Sequence, residues 1–169
     1  MKVEIIKVGE LETNCYIVTK NDKTIVIDPG DEFEKIKETL GNRKPTVCLL
    51  THSHYDHIGA LEELTNYYNI KVNDDYTKEF KYKVLKTPGH TKDSLTFYFY
   101  EDNIMFTGDF LFKSSFGRTD LGGSNQEMIE SLNMIKDYPD EIIIYPGHGE
   151  SSTLGKEKRN IPYYFMYLT

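Results

Sequence analysis

The sequence predicts an α/β fold in which two β-sheets pack face to face with helices outside. Two observations lead there. Strand-like runs followed by helix-like segments recur, roughly, in each half of the chain. Chemistry-bearing residues follow directly on several of the apolar runs, at the mouth of a sheet, where functional residues of such proteins sit. At 169 residues the chain fits one domain, 1–169, with a sizeable core, and two full domains would be cramped.

Residues 2–8 alternate, 14–19 carry Cys-Tyr-Ile-Val, and 24–28 read Thr-Ile-Val-Ile-Asp, which together predict an opening antiparallel meander. Pro29-Gly30 breaks it, and Asp31 is placed to cap a helix over 32–40, where Phe33, Ile36, Lys37 and Leu40 are spaced for one buried side. Gly41-Asn42 ends that helix. Residues 46–51 form a short buried strand, and a helix from Ile58 to about Tyr68 follows. Short strands at 70–72 and 82–85 flank a polar stretch, 73–79, to which no chemistry is assigned. A hairpin over 95–100 and 103–107 turns at Glu101-Asp102. Ser124 or Asn125 caps a helix to about Asp137, with Met128, Ile129, Leu132 and Ile135 at helical spacing. A buried strand at 141–145 precedes a last helix from Ser152 or Thr153 to about Arg159, ahead of Pro162. The aromatic tail 161–168 is expected to dock on its own domain.

Twenty basic against twenty-seven acidic residues give a net charge of −7, with no Lys/Arg stripe to neutralise a run of phosphates. Nucleic acid is therefore excluded as a partner. The N-terminus lacks the apolar core of a signal peptide, and no segment approaches the roughly 20 apolar residues of a membrane span, so a soluble, cytoplasmic protein without a membrane partner is expected. Cys15 and Cys48 lie inside apolar runs and read as reduced, structural thiols; Cys48, upstream of His52, is the one remote ligand candidate.

The richest stretch is Thr51-His52-Ser53-His54-Tyr55-Asp56-His57-Ile58-Gly59, directly after Val47-Cys48-Leu49-Leu50. In extended chain, residues two apart point the same way, so His52 and His54 can reach one point in space. Asp56 and His57 follow where the chain turns into a helix, which aims them toward a second position. Histidines clustering on a solvated loop would be the bland alternative. Three imidazoles and a carboxylate closing an apolar strand favour a metal, and this donor set suits Zn, Fe, Mn, Ni or Co over Cu(I) or Ca. The remaining two histidines, His90 in Thr87-Pro88-Gly89-His90-Thr91 and His148 in Pro146-Gly147-His148-Gly149, also follow strand-like runs. Asp109 after Thr107-Gly108 sits similarly, though an ordinary turn Asp would look the same. Arg118, in the loop Phe116-Gly117-Arg118-Thr119-Asp120, either binds a substrate carboxylate or pairs internally with Asp120 or another acid.

With Asp28-Pro29-Gly30, the histidine stretch, Thr87-Pro88-Gly89-His90-Thr91, Thr107-Gly108-Asp109 and Pro146-Gly147-His148-Gly149 in this order, the chain resembles the metallo-β-lactamase superfamily over nearly its full length. The resemblance implies a four-layer αββα sandwich with a two-metal site on one edge. It implies that His52, His54 and His90 hold a first metal, that Asp56, His57 and His148 hold a second, and that Asp109 bridges them. The cofactors it implies are two divalent ions, zinc first, with iron or manganese as alternatives.

Within the superfamily the chain looks most like the small glyoxalase II-like hydrolases. The activity this implies is hydrolysis of a thioester or similar activated acyl compound by a hydroxide held between two metals, with Asp56 orienting the water or taking its proton. Two departures weigh against glutathione thioesters as natural substrate. The C-terminal helical glutathione-binding domain of glyoxalase II is not found before Thr169, and Gly149-Glu150 follows His148 where that enzyme soon places a glutathione-contacting Tyr. The rival enzyme class is a mononuclear-iron persulfide dioxygenase, with iron at His52, His90 or His54, and Asp109. A non-catalytic metal-binding module is the third reading, which the size of the ligand set argues against. The implied partner is a small-molecule acyl or thioester substrate; oligomeric state is left open.

Overall fold

The computed structural model describes residues 1–74 and 78–169, so part of the polar stretch 73–79 lies outside the described residues. The chain divides into two compact units, Met1–Lys81 and Tyr82–Thr169.

The first unit contains β1 (Lys2–Val8), β2 (Thr13–Lys20), β3 (Lys23–Ile27), α1 (Phe33–Leu40), β4 (Pro45–Leu49), α2 (Tyr55–Ile58) and α3 (Leu61–Tyr68). Its sheet has the order β1-β2-β3-β4. The expected meander is present, β1 to β2 to β3 antiparallel, and β4 joins β3 in parallel. That parallel pair needs a crossover, which α1 supplies. Ile6 and Val8 face the core with Cys15, Ile17 and Val26, while Ile5 is exposed, so β1 buries one of its two alternating sides. Phe33, Ile36 and Leu40 from α1 and Leu64 from α3 complete that core.

Three local expectations shift here. Glu32, in left-handed backbone conformation, takes the N-cap position of α1, and Asp31 Oδ1 accepts from the Glu32 amide at 2.7 Å instead of capping the helix. The helix expected from Ile58 starts three residues earlier as α2 and is interrupted before α3 begins at Leu61. The expected strand at 70–72 shrinks to a single bridge between Cys48 and Val72.

The second unit contains β5 (Tyr82–Lys86), β6 (Leu95–Phe99), β7 (Ile104–Gly108), β8 (Leu111–Phe112), β9 (Ser115–Phe116), α4 (Asn125–Ile135), β10 (Ile143–Pro146), β11 (Ser152–Thr153) and α5 (Leu154–Leu168). Its main sheet runs β11-β10-β7-β6-β5, with β10 and β7 parallel and the other neighbours antiparallel; β8 and β9 form a small separate ribbon. Ser124 caps α4 by accepting from the Glu127 amide at 3.2 Å, as its position predicts. Met128, Leu132 and Ile135 from α4 pack with Met105, Ile142 and Ile144.

The last helix overruns its expected end. Pro162 stands inside α5, which continues to Leu168. An interior proline costs about 3 kcal/mol. Ile161, Tyr164 and Leu168 recur on one side beyond it and are buried in the core of this unit, which offsets that cost. The aromatic tail therefore docks at home. No helix among the described residues is long and apolar enough to cross a membrane.

Glu157 of α5 is the polar anchor of this unit. It is 1% exposed and accepts from the Ser114 amide at 2.8 Å, Ser152 Oγ at 2.5 Å, Asn160 Nδ2 at 3.3 Å and Tyr164 Oη at 3.1 Å. Burial and the neighbouring Glu157 carboxylate push the Tyr164 hydroxyl's pKa up, which keeps it a donor. Glu157→Ala should strand the buried Tyr164 hydroxyl and three further, partly buried donors and lower stability by on the order of 3 kcal/mol, read as a lower urea midpoint at unchanged m-value. A loss below about 0.5 kcal/mol, the level of ordinary surface substitutions, would contradict this role.

Candidate metal centre

In the first unit, the parallel register of β3 and β4 pairs Ile27 with Leu49, so the residues that follow each strand emerge side by side. Asp28 follows β3, and its amide donates to Leu49 O at 3.0 Å. Its carboxylate is 1% exposed and collects three groups from the segment after β4: the Thr51 amide at 2.8 Å, Thr51 Oγ1 at 2.6 Å and His57 Nδ1 at 2.9 Å. Because the Thr51 hydroxyl proton goes to Asp28, its oxygen is left to accept from His52 Nδ1, 3.1 Å away. Asp28 thus sets the ring orientation of His57 directly and of His52 through Thr51.

The chain then packs backbone against backbone. A Cβ at Gly30 would lie 1.8 Å from the Asp56 carbonyl oxygen, so only glycine lets the Asp28-Pro29-Gly30 turn pass this close to the histidine segment. The Ala60 amide donates to Pro29 O at 3.0 Å across the same crossing.

Within this frame the four expected residues of the unit come together. His52 and His54 offer ring nitrogens within 4.8 Å of each other, as do His52 and His57. The His52 ring centroid stands 4.9 Å from that of His54 and 4.1 Å from that of His57. Asp56 Oδ2 lies 3.4 Å from His57 Nε2 and accepts from Thr13 Oγ1 at 2.8 Å. Asp56 and His57 leave the extended segment on α2, as expected, yet His57 stays beside His52 because Asp28 holds it.

The second unit repeats the arrangement. The parallel pair β7 and β10 aligns Gly108 with Pro146, and the Gly147 amide donates to Gly108 O at 2.8 Å, so Asp109 and His148 emerge from adjacent strand ends. His90 lies in the turn between β5 and β6, and its Nδ1 hydrogen-bonds the Arg118 carbonyl at 2.7 Å. A Cβ at Gly117 would lie 1.8 Å from Asp109 O and 3.0 Å from His90 Cβ, so this glycine lets the 116–120 loop close on both residues. Asp109 Oδ2 then sits 3.6 Å from His90 Nε2 and 3.5 Å from His148 Nε2.

Of the two alternatives for Arg118, the internal ion pair is present. Its Nε and Nη2 each donate to the Asp120 carboxylate at 2.6 Å, a bidentate fork on an exposed loop. Hydrogen bonding from Arg118 holds the Asp120 carboxyl down at about 2, so the pair persists through the neutral range. The contribution of Arg118 to the cluster is its backbone carbonyl on His90.

The donor set fits metal ions. His52, His57 and His90 each engage Nδ1 with a hydroxyl, a carboxylate or a carbonyl, the outer contact that metal-bound imidazoles make, and Nε2 of His57 faces Asp56 while that of His90 faces Asp109. The three carboxylate–imidazole separations of 3.4, 3.5 and 3.6 Å exceed good hydrogen-bond lengths, as for groups converging on a common third atom. Cys15 and Cys48 are fully buried, and burial pushes both thiols' pKa up, so neither supplies a thiolate.

Sequence reading quoted Asp28 only as part of a motif and gave Thr13 no role. The signal for Asp28 was present, since a carboxylate directly after an apolar strand is also the position of Asp109. Thr13 lies 43 residues from Asp56 and left no local trace.

The family profile described as "Metallo-beta-lactamase superfamily" matches residues 8–72 and 76–148. The chain is 31% identical to the hydroxyacylglutathione hydrolase GloC of Haemophilus influenzae, over 96% of this chain and 98% of that protein. Among solved structures it matches TTHA1623 in a di-iron-bound form with a TM-score of 0.87 at 30% identity, over 95% of this chain and 99% of that one. It matches the BLEG-1 B3 metallo-beta-lactamase with a TM-score of 0.89 at 28% identity, over 96% and 99% of the two chains. These matches take in both mixed sheets, their flanking helices and every strand end that bears a histidine, and the chain belongs to the metallo-β-lactamase superfamily.

Proposed function

We propose that the protein is a metal-dependent hydrolase acting on a thioester or similar activated acyl compound. The observation that carries the reading is the placement of Asp109, one carboxylate oxygen midway between two imidazoles, 3.6 Å from His90 Nε2 and 3.5 Å from His148 Nε2. A carboxylate so placed suits a bridge between two ions. In this reading His52, His54 and His90 would hold the first ion, Asp56, His57 and His148 would hold the second, and Asp109 would serve both. The similarity to GloC supports the hydrolase class, and the di-iron form of TTHA1623 supports a dinuclear site in which iron competes with zinc or manganese.

Bound there, two such ions would supply a hydroxide by lowering the pKa of a water toward ~7, and would polarise the substrate carbonyl. The chain's own contribution is positional. Asp28 and Thr51 fix the Nδ1 side of His57 and His52, and the Arg118 carbonyl fixes that of His90, so three imidazoles present Nε2 without reorganising. Asp56, oriented by Thr13, steers the attacking water and receives its proton. The Arg118 guanidinium pairs with Asp120 on an exposed loop.

Metal content by elemental mass spectrometry, on protein purified without chelator, should approach two ions per chain and fall by about half in His148→Ala. A single iron unchanged by that substitution, together with oxygen uptake on a persulfide, would overturn the dinuclear hydrolase. Asp109→Ala should abolish thioester turnover; near-normal turnover would remove the bridge. Asp28→Asn keeps every ligand but weakens the hold on His57, and should reduce metal affinity roughly 10–100-fold in a chelator competition. Unchanged affinity would mean that His57 is oriented by something other than Asp28.

A further inference from the structure

The first unit has a cleft of about 410 Å³ that opens beside Asp56. This is the size range of small-molecule sites. One wall is the turn between β1 and β2, which carries Glu10 and Leu11; the other is the start of α2 with Tyr55, and Val8 and Asp31 also line the space. The turn is held in place. Glu12 N donates to Gly9 O at 3.2 Å, and Gly9 N donates to Glu32 Oε2 at 2.9 Å at the head of α1. Leu11 and Tyr55 nevertheless stand 51% and 73% exposed. Two large apolar side chains that line one cleft and stand in water suit contact with an apolar group bound there.

The charge of the lining is one-sided. Glu10, Asp31 and Asp56 are acidic, and neither Lys nor Arg lines the cleft among the described residues. An anionic group entering it would meet like charge with no cation to pair with.

We infer that this cleft is the acyl subsite, and that it selects acyl groups that are apolar and carry no negative charge. The inference rests on the hydrolase reading and extends it to a substrate class. Leu11 and Tyr55 clasp the acyl chain by removing its surface, and theirs, from water. Glu10 and Asp31 exclude acyl groups that end in a carboxylate. They admit neutral or cationic ones.

The test uses thioesters of the uncharged thiol N-acetylcysteamine, so that only the acyl group varies. Butyryl and succinyl thioesters have four-carbon acyl chains and differ in the terminal carboxylate. The butyryl ester should be turned over with a kcat/KM at least about tenfold above that of the succinyl ester. Leu11→Ala and Tyr55→Ala should raise KM for the butyryl ester several-fold, with kcat little changed. Glu10→Lys should narrow the gap by raising succinyl turnover. These side chains are exposed, so the variants should keep their fold. Equal turnover of the two esters, or indifference of KM to both alanine variants, would overturn the inference.

Binding is read separately on metal-free protein, with the butyryl ketone analogue in which a methylene replaces the ester sulfur. It should shift the amide resonances of Leu11 and Tyr55 in a ¹H–¹⁵N spectrum, and the corresponding carboxylate-bearing ketone should not. Absence of any thioester turnover with those shifts present would sink the hydrolase reading and leave the subsite standing. Turnover without the shifts would sink the subsite and leave the hydrolase.

Discussion

The Asp28 carboxylate is the contact on which the first half of the site depends. A buried acid is costly unless its oxygens are occupied, and Asp28 meets an amide, a hydroxyl and an imidazole, all from the segment after β4. It does so from a left-handed backbone position, φ 51°, which bends the chain sharply off the end of β3. Asp is among the few side chains that enter this region readily. The same bend carries Pro29 and Gly30 against the backbone of Asp56 and Ala60. One residue therefore ends a strand, starts the turn and orients two histidines. Replacing it would disturb the site through geometry even though no metal ligand is lost.

Each of the two larger sheets contains one parallel strand pair, and each pair delivers functional groups from its carboxyl end. β3 and β4 bring Asp28 beside the histidine segment, and β7 and β10 bring Asp109 beside His148. Antiparallel neighbours would have sent consecutive strand ends in opposite directions. The parallel pairing puts two loops at one edge, where side chains from distant parts of the sequence can meet. Ligand-bearing loops are a general consequence of that geometry; what is particular here is that a carboxylate leads in both units.

Sequence reading recovered what is local or periodic. The meander, the β6–β7 hairpin and the Ser124 cap on α4 were legible from alternation, turn residues and a capping side chain. The seven ligand candidates stood out because the segments that carry them follow apolar runs, and because their order matches a family pattern. What sequence did not show depends on tertiary packing. Pro162 marks a helix end by local rules, but burial of Ile161, Tyr164 and Leu168 carries α5 through it. Within α2, which starts earlier than expected, His57 is held by Asp28 through a bond spanning 29 residues. Arg118 drew attention by its charge, and that charge is spent on Asp120; its carbonyl, which any residue type would supply, is the group that touches His90.

The two units solve the same positioning problem by different means. In the first, four ligand candidates lie within six residues, and a single turn of chain, gripped by Asp28 and crossed by Gly30, presents them all. In the second, His90, Asp109 and His148 come from three separate loops, so their mutual placement depends on long-range ties. Gly117 lets the 116–120 loop approach His90 and Asp109, and the parallel register of β7 and β10 aligns Asp109 with His148. Glu157 joins the segments that follow these last two, through Ser114 and Ser152. A site assembled from a short segment tolerates change elsewhere in its unit, because its ligands share one backbone. A site assembled from three loops is exposed to any substitution that loosens the packing between them. The second unit meets that demand with a charged side chain kept at the centre of its core, where Glu157 accepts from four donors at once.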